Sequence, residues 1–205
     1  MVDKITDYKL KIISLYKSDY IEEYHVREMA KLIGTSHVTL LPHLKDLEEE
    51  KILISEKKGR NKVYTLNFDN ILAKEYLIMA EKYHSLCYLE GNFLIKKITQ
   101  ELQKLNLNSL ILLFGSYAKG TETKVSDIDL FILEKPGQKT KEDIKNIGKI
   151  YGKEINIKSV SYKNFNKTLK NKDTLILEII KNHITLQNSE IFINYLWKYY
   201  DEKRK

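Results

Sequence analysis

Apolar side chains recur at Ile5, Leu10, Ile12, Ile13, Leu15 and Tyr16 with polar groups between them, which predicts a first amphipathic helix over 5–18. A second, shorter helix is predicted over 25–34. Val26, Met29, Ala30, Leu32 and Ile33 are apolar there, and Gly34 stands where a helix ends. Ser36 is placed to cap a third helix reaching Glu50, which would bury Leu40, Leu41, Leu44 and Leu47 and turn Lys and Glu outward. Pro42 falls inside that helix, where it removes a backbone hydrogen bond and is expected to introduce a kink. The period then changes, and residues 52–67 read as two short strands around a polar turn containing Gly59. From 71 to 104 the three- and four-residue spacing returns through Leu72, Tyr76, Met79, Tyr83 and Leu86, predicting helix throughout. Gly91 either divides this stretch into two helices or marks a close packing contact. Its apolar stripe has two readings, an intramolecular core and the seam of a homodimer through 71–104, which periodicity alone does not separate.

Further along, the pattern is of another kind. SLILLF (109–114) is a buried-strand run, and SDIDLFILE (126–134) is a second strand. Residues 140–151 are amphipathic helix, and INIKSVS (155–161) is a third strand. LILEIIKNHITLQ (175–187) and SEIFINYLWKYY (189–200) are predicted as helical segments. Alternating strand and helix argues an α/β or α+β architecture. The expected organisation is a domain over 1–68, a helical linker or dimerisation segment over 69–106, and a mixed-sheet domain over 107–205. Within the tail, His183 reads as structural, and Trp197, Tyr199 and Tyr200 as a core cover or a partner surface.

Composition adds limits. Hydrophobic content of 42% suffices for packed cores, and 35 Lys and Arg against 28 Asp and Glu leave a net charge of +7, which raises the prior for polyanionic partners. The single cysteine, Cys87, excludes an intramolecular disulfide and a cysteine-built zinc site, and its apolar helical setting reads as a small core residue. Residues 1–10 are polar, without the apolar run of a signal peptide. No apolar stretch approaches the ~18 residues of a membrane span. The expectation is a cytoplasmic protein without membrane partners.

Candidate chemistry concentrates in GSYAKGTETKVSDIDLFIL (115–133). Asp127 and Asp129 stand two apart on a predicted strand, so both carboxylates project from one face. Two hard oxygen ligands side by side suit Mg²⁺ (or Mn²⁺) held against a triphosphate, where the cation stabilises charge during in-line displacement. Gly115 lets the backbone approach closely. Ser116 and the following amides, opening a short helix over 116–119, are placed for the β- and γ-phosphates of an NTP. Lys119 adds a cation, and Ser126 caps or orients the aspartate strand.

The joint pattern of Gly-Ser, short helix and Asp-x-Asp behind an apolar strand resembles the nucleotidyltransferase superfamily that includes DNA polymerase beta, especially its small bacterial and archaeal members. The resemblance implies transfer of a nucleoside monophosphate (NMP) from an NTP to a protein or nucleic-acid acceptor, including an antitoxin-like role toward a protein partner. It also implies a third carboxylate on the next strand. That strand reads GKEINIKSVSYKNF, and the best register puts Asn156 in the carboxylate's place. Glu154, two residues earlier on the same strand face, is the candidate substitute.

The order helix, short helix, tight turn, helix and hairpin, with Ala30, Gly34 and SHVTLLPHLKDLEEEKIL (36–53), resembles the winged helix-turn-helix of MarR/ArsR-like families over about 5–68. GRNKVYTLN (59–67) is then the wing. The resemblance implies a DNA partner, with the third helix in the major groove and the wing on the adjacent backbone. Ser36, His37, Thr39, His43 and Lys45 would approach bases or phosphates, and Lys57, Lys58, Arg60 and Lys62 would contact phosphates. LEIIKNHITLQNSEIFINYLW (177–197) is similar to the end of archaeal proteins that join these two parts. The alternative function is a transcriptional regulator whose transferase-like domain is degenerate and senses nucleotide or dimerises; Asn156 favours it.

Overall fold

In a computed structural model, which describes residues 6–205, Thr6 accepts a hydrogen bond from the Lys9 amide and opens α1 (Asp7–Ser14). Ile5, part of the first predicted helix, lies outside the described residues. A tighter 3-10 turn over Leu15–Ser18 completes that segment. β1 (Tyr24–His25), which the spacing did not foretell, leads into α2 (Val26–Ile33). Gly34 ends α2 in the left-handed region at φ 76°, its N–H donating to the Ala30 carbonyl. Ser36 accepts from the Thr39 amide and caps α3 (His37–Glu49), which runs unbroken through Pro42. β2 (Leu53–Lys58) and β3 (Asn61–Leu66) form an antiparallel hairpin, and the sheet order is β1-β3-β2.

Contacts divide the chain into two compact units: the chain to Tyr83 together with Leu196–Lys205, and His84–Tyr195. In the first, Ile12, Ile13, Met29, Leu40, Leu44 and Leu47 are fully buried. Leu41 is 46% exposed, because the α3 face defined by Leu40, Leu44 and Leu47 turns it outward. Lys9 is also buried, and its ammonium lies 3.2 Å from both Asp46 and Glu50, so the charge is paired where water is excluded. Tyr200 stacks on Tyr20 at 5.0 Å and Trp197 packs on Phe68 at 4.4 Å, so these tail aromatics cover the core of the first unit.

The predicted 71–104 helix is two, α4 (Ile71–Gly91) and α5 (Phe93–Lys104), parted at Asn92. A Cβ built on Gly91 meets nothing within 4 Å, so this glycine accompanies the break and makes no close packing contact. Tyr76, Leu77 and Ala80 of α4 are buried within the single chain, whereas Leu72, Leu86 and Cys87 are exposed. Cys87 is thus a surface residue, contrary to its apolar sequence setting.

In the second unit, β4 (Leu110–Phe114) leads into α6 (Gly115–Lys119), then β5 (Ile128–Leu133), α7 (Gln138–Ile150) and β6 (Ile155–Val160). α8 (Tyr162–Lys170), α9 (Thr174–Lys181) and β7 (Ile184–Gln187) follow, and α10 (Ser189–Arg204) starts in this unit and ends in the first. The four-stranded order is β6-β5-β4-β7, with β5–β6 parallel and the other pairs antiparallel. One face of the sheet, Ile111, Leu113, Ile128, Leu130 and Ile132, packs in one core with Ile95, Ile98 and Leu102 of α5 and Ile144 and Ile147 of α7. The alternation of β5 sends Phe131 to the opposite face, where it meets Phe165 of α8 at 6.0 Å.

One predicted helix gives way to strand, and one helix is new. ITLQ is strand, not helix: α9 stops at Lys181, and the β-branched Ile184 and Thr185 pair with Leu113 and Leu112. α8 was not foreseen at all. The chain is α+β, and among the described residues no helix is long and apolar enough to cross a membrane.

Candidate active site

The antiparallel β4–β5 pair opposes Phe114 to Asp129, so the chain leaving β4 turns beside the start of β5. Gly115 makes that turn at φ 72°, and a Cβ built there would stand 3.2 Å from Asp129 Cγ and 3.3 Å from its Cβ. Both the conformation and the space demand glycine. On the other side, the parallel β5–β6 register sets Asn156 against Asp129. Asn156 Nδ2 lies 3.4 Å from Asp127 Oδ2 and 3.4 Å from Asp129 Oδ1, so the two carboxylates converge on one amide.

Asp127 is exposed and Asp129 half-buried. Burial, with the charge of Asp127 added, pushes the Asp129 carboxyl above its ordinary range, against the opposing pull of the Asn156 amide and Lys158. Two like charges, one of them partly desolvated, are what a bound divalent cation neutralises. The donor set fits a hard cation: two carboxylates, and an amide that offers its oxygen when flipped, since amide orientation is an assignment.

Ser116 lies half-buried in the first turn of α6. Lys119, at the end of α6, is ion-paired with Glu178 of α9, so its ammonium is engaged by a carboxylate. Ser126 Oγ accepts from the Thr123 amide at 2.9 Å and ties the turn ahead of β5. Glu154 takes no part in the aspartate cluster. It precedes β6, its carbonyl accepts from the Ile128 amide at 2.9 Å, and the residue lines a separate cleft with Lys145 and Lys149. Among the described residues no three His, Cys, Asp or Glu side chains gather as a metal site, so Glu154 does not replace the missing carboxylate.

Asn156 stands where the register of its strand put it, whereas two participants had no local signal in the sequence: the Glu178 partner and Lys153. Lys153 Nζ donates to the Lys124 and Ser126 carbonyls at 2.7 and 3.1 Å and lies 5.6 Å from the centre of the Tyr117 ring. It pins the segment that delivers Asp127. Lys153→Met keeps most of the apolar stem and removes both donors. It is expected to weaken Mg²⁺-dependent nucleotide binding ~10–100-fold, the scale of outer-shell losses at metal sites, read by calorimetry.

The candidate nucleic-acid contacts lie in the first unit and are unevenly available. Ser36 and Thr39 share a hydroxyl–hydroxyl bond of 2.8 Å, and His37 is exposed. His43 stacks on Tyr8 at 5.2 Å and bonds Thr6 at 3.3 Å, so it belongs to the α1–α3 packing. Lys45, Lys58 and Lys62 pair with Glu49, Glu23 and Glu48 at 3.6, 2.6 and 2.6 Å. Lys57 and Arg60, at the β2–β3 hairpin, are exposed.

A family model described as a nucleotidyltransferase domain matches residues 95–186, a little under half of the chain. The matched segment runs from α5 to β7 and includes Gly115, Ser116, Asp127, Asp129 and Asn156. No curated protein and no solved structure matches the chain.

Proposed function

We propose that the unit His84–Tyr195 transfers a nucleoside monophosphate from an NTP to an acceptor oxygen. The observation that carries this reading is the convergence of Asp127 and Asp129 beside the Gly115 turn, within the segment matched to nucleotidyltransferase domains. Mg²⁺ held by these two carboxylates, with Asn156 as a neutral third donor, would supply charge neutralisation on the triphosphate. Gly115 leaves room for the Asp129 carboxyl, and Ser116 and the α6 amides that follow offer donors to phosphate. Lys119, on leaving Glu178, adds a positive charge. The acceptor oxygen bonds the α-phosphorus while the bond to the β-phosphate oxygen breaks, and pyrophosphate departs with that electron pair.

The test is incubation of the chain with Mg²⁺ and each α-labelled NTP, alone and with lysate, beside the Asp127→Ala/Asp129→Ala double variant. Label moved by the parent chain and not by the variant supports transfer. Nucleotide bound without any transfer, together with altered DNA affinity, would instead support the regulator, the reading Asn156 favours.

The first unit is proposed, on its element order, as a winged helix that contacts DNA. Its charge limits how: residues 1–68 carry twelve Lys and Arg against eleven Asp and Glu, close to balance. With Lys45, Lys58 and Lys62 paired to glutamates, phosphate contact falls chiefly to Lys57 and Arg60. Lys57→Ala/Arg60→Ala is expected to weaken binding of every duplex sequence alike and to lower the salt slope by about 2. An unchanged slope in titrations at several salt concentrations removes the hairpin from the interface.

A further inference from the structure

Alternation along β6 sorts its side chains by face. Ile155 and Ile157 pack with the core shared by α5 and α7, so Asn156 and Lys158 stand on the other face, that of Asp127 and Asp129. The parallel ladder sets Asn156 against Asp129 and Lys158 against Phe131, one step further along the same two strands. That step is about 7 Å along a strand, a distance a lysine stem covers. The charge of Lys158 acts on the Asp129 carboxyl and draws it down against its burial.

Lys158 is also uncommitted. Lys119 is ion-paired with Glu178, and Lys153 donates to the carbonyls of Lys124 and Ser126. Lys158 is exposed and, among the described residues, makes no hydrogen bond and no ion pair.

The strand order gives the aspartates two flanks. β5 lies between β4 and β6, so Asp129 has the Gly115 turn and α6 on one side and Asn156 and Lys158 on the other. A triphosphate held by the α6 amides leaves the β6 flank to the attacking oxygen, because attacking and leaving oxygens lie roughly in line. Centres built on two divalent cations clamp both of those oxygens. Here Asp127 Oδ2 and Asp129 Oδ1 each lie 3.4 Å from one amide nitrogen, a single point of convergence. No third His, Cys, Asp or Glu joins them among the described residues. These donors suit one hard cation, and the flank where a second would act carries an ammonium instead.

We propose that Lys158 is the second positive charge of this centre, facing the attacking oxygen from the β6 flank, and that the chain works with one divalent cation. The proposal rests on the nucleotidyl-transfer reading. A hydroxyl oxygen of the acceptor forms the new bond to the α-phosphorus. The bond to the bridging oxygen breaks, and pyrophosphate leaves with that electron pair. The hydroxyl proton passes to water, since Asn156 has no basicity, and Lys158 stabilises the negative charge that develops on the oxygen.

The experiment has two arms. In the first, Mn²⁺ bound to the full chain is counted by electron paramagnetic resonance in the presence of a saturating NTP analogue with a methylene group between the α- and β-phosphorus. One Mn²⁺ per chain is expected, and two would overturn the proposal. In the second, the rate of label transfer from α-labelled NTP to lysate acceptors is measured at saturating nucleotide for the parent chain, Lys158→Met and Lys158→Arg. Lys158→Met is expected to transfer ~10²–10³-fold more slowly, the effect of removing one group that stabilises developing charge, with analogue affinity and Tm within a few-fold and a few degrees of the parent. Lys158→Arg restores the charge and should recover most of the rate, which a merely structural role for the stem would not require. Parent-like transfer by Lys158→Met, or a rate that Lys158→Arg leaves as low as Lys158→Met, overturns the proposal and leaves transfer standing. No transfer by the parent chain removes the transferase reading, and this proposal with it.

Discussion

Asp129→Asn is expected to lower nucleotidyl transfer by ~10³-fold or more while making the nucleotide-free chain more resistant to heat. The first effect follows from losing one of two hard oxygen charges at the proposed cation site, where several kcal/mol of charge stabilisation are at stake and each 1.4 kcal/mol is about tenfold in rate. The second follows from the electrostatics of the two carboxylates alone. Burial and the Asp127 charge hold the Asp129 carboxyl above its ordinary range, so keeping it ionised works against the fold. That penalty is absent below the ordinary carboxylate pKa, where the group is protonated folded or unfolded. It grows as pH rises and is complete above the raised folded value. A neutral Asn therefore gains stability at pH 7 and nothing near pH 3. The parent chain should also gain about 2.7 kcal/mol when Mg²⁺ and NTP stand at a hundred times Kd, a gain the variant should lack. Melting curves at the two pH values, with and without ligand, read all of this. A lower Tm for the unliganded variant at pH 7 would refute the account of Asp129, and retained transfer would remove it from the reaction.

How much of this was visible in the chain depended on whether the determinant was local. Gly34 ending α2, Ser36 capping α3 and the alternation that sends Asp127 and Asp129 to one face all act within four residues, and the structure places each accordingly. Leu41 and Cys87 misled because an apolar residue at helical spacing is compatible with either side of a stripe, and only packing decides. ITLQ misled because a short apolar run following a helix does not disclose the strand it will pair with; β4 lies some seventy residues earlier. The same limit governs the candidate site. Glu154 and Asn156 were both open until β6 settled parallel to β5, which set Asn156 against Asp129 and left Glu154 on the approach to the strand. Lys153, reaching back to Lys124 and Ser126, and Glu178, holding Lys119, are pairings across 27 or more positions. No spacing rule reaches that far.

Gly115→Ala is expected to reduce transfer ~100-fold, and comparison with Gly120→Ala separates the two reasons for it. Both glycines bound α6 and both occupy the left-handed region, at φ 72° and 66°. Alanine in that region costs about 1–2 kcal/mol at either position, a fall in Tm of ~2–4 °C per kcal/mol for a chain of this size. Their surroundings differ. A Cβ on Gly120 meets nothing within 4 Å, whereas one on Gly115 drives into the Asp129 carboxyl, 3.2 Å from Cγ and nearer still to Oδ2. The strands have little freedom to yield, because Phe114 and Asp129 are opposed in the β4–β5 ladder, so the carboxyl must swing away. That separates Asp129 from the point it shares with Asp127 and Asn156. A displacement of about 1 Å in a reacting constellation is worth ~10²-fold in rate. Gly120→Ala should therefore melt earlier and keep its transfer activity within a few-fold, and Gly115→Ala should show a similar thermal loss with transfer reduced ~100-fold. Equal loss of activity in the two would mean that the turn's conformation, and not the room left for Asp129, is what the site requires of glycine.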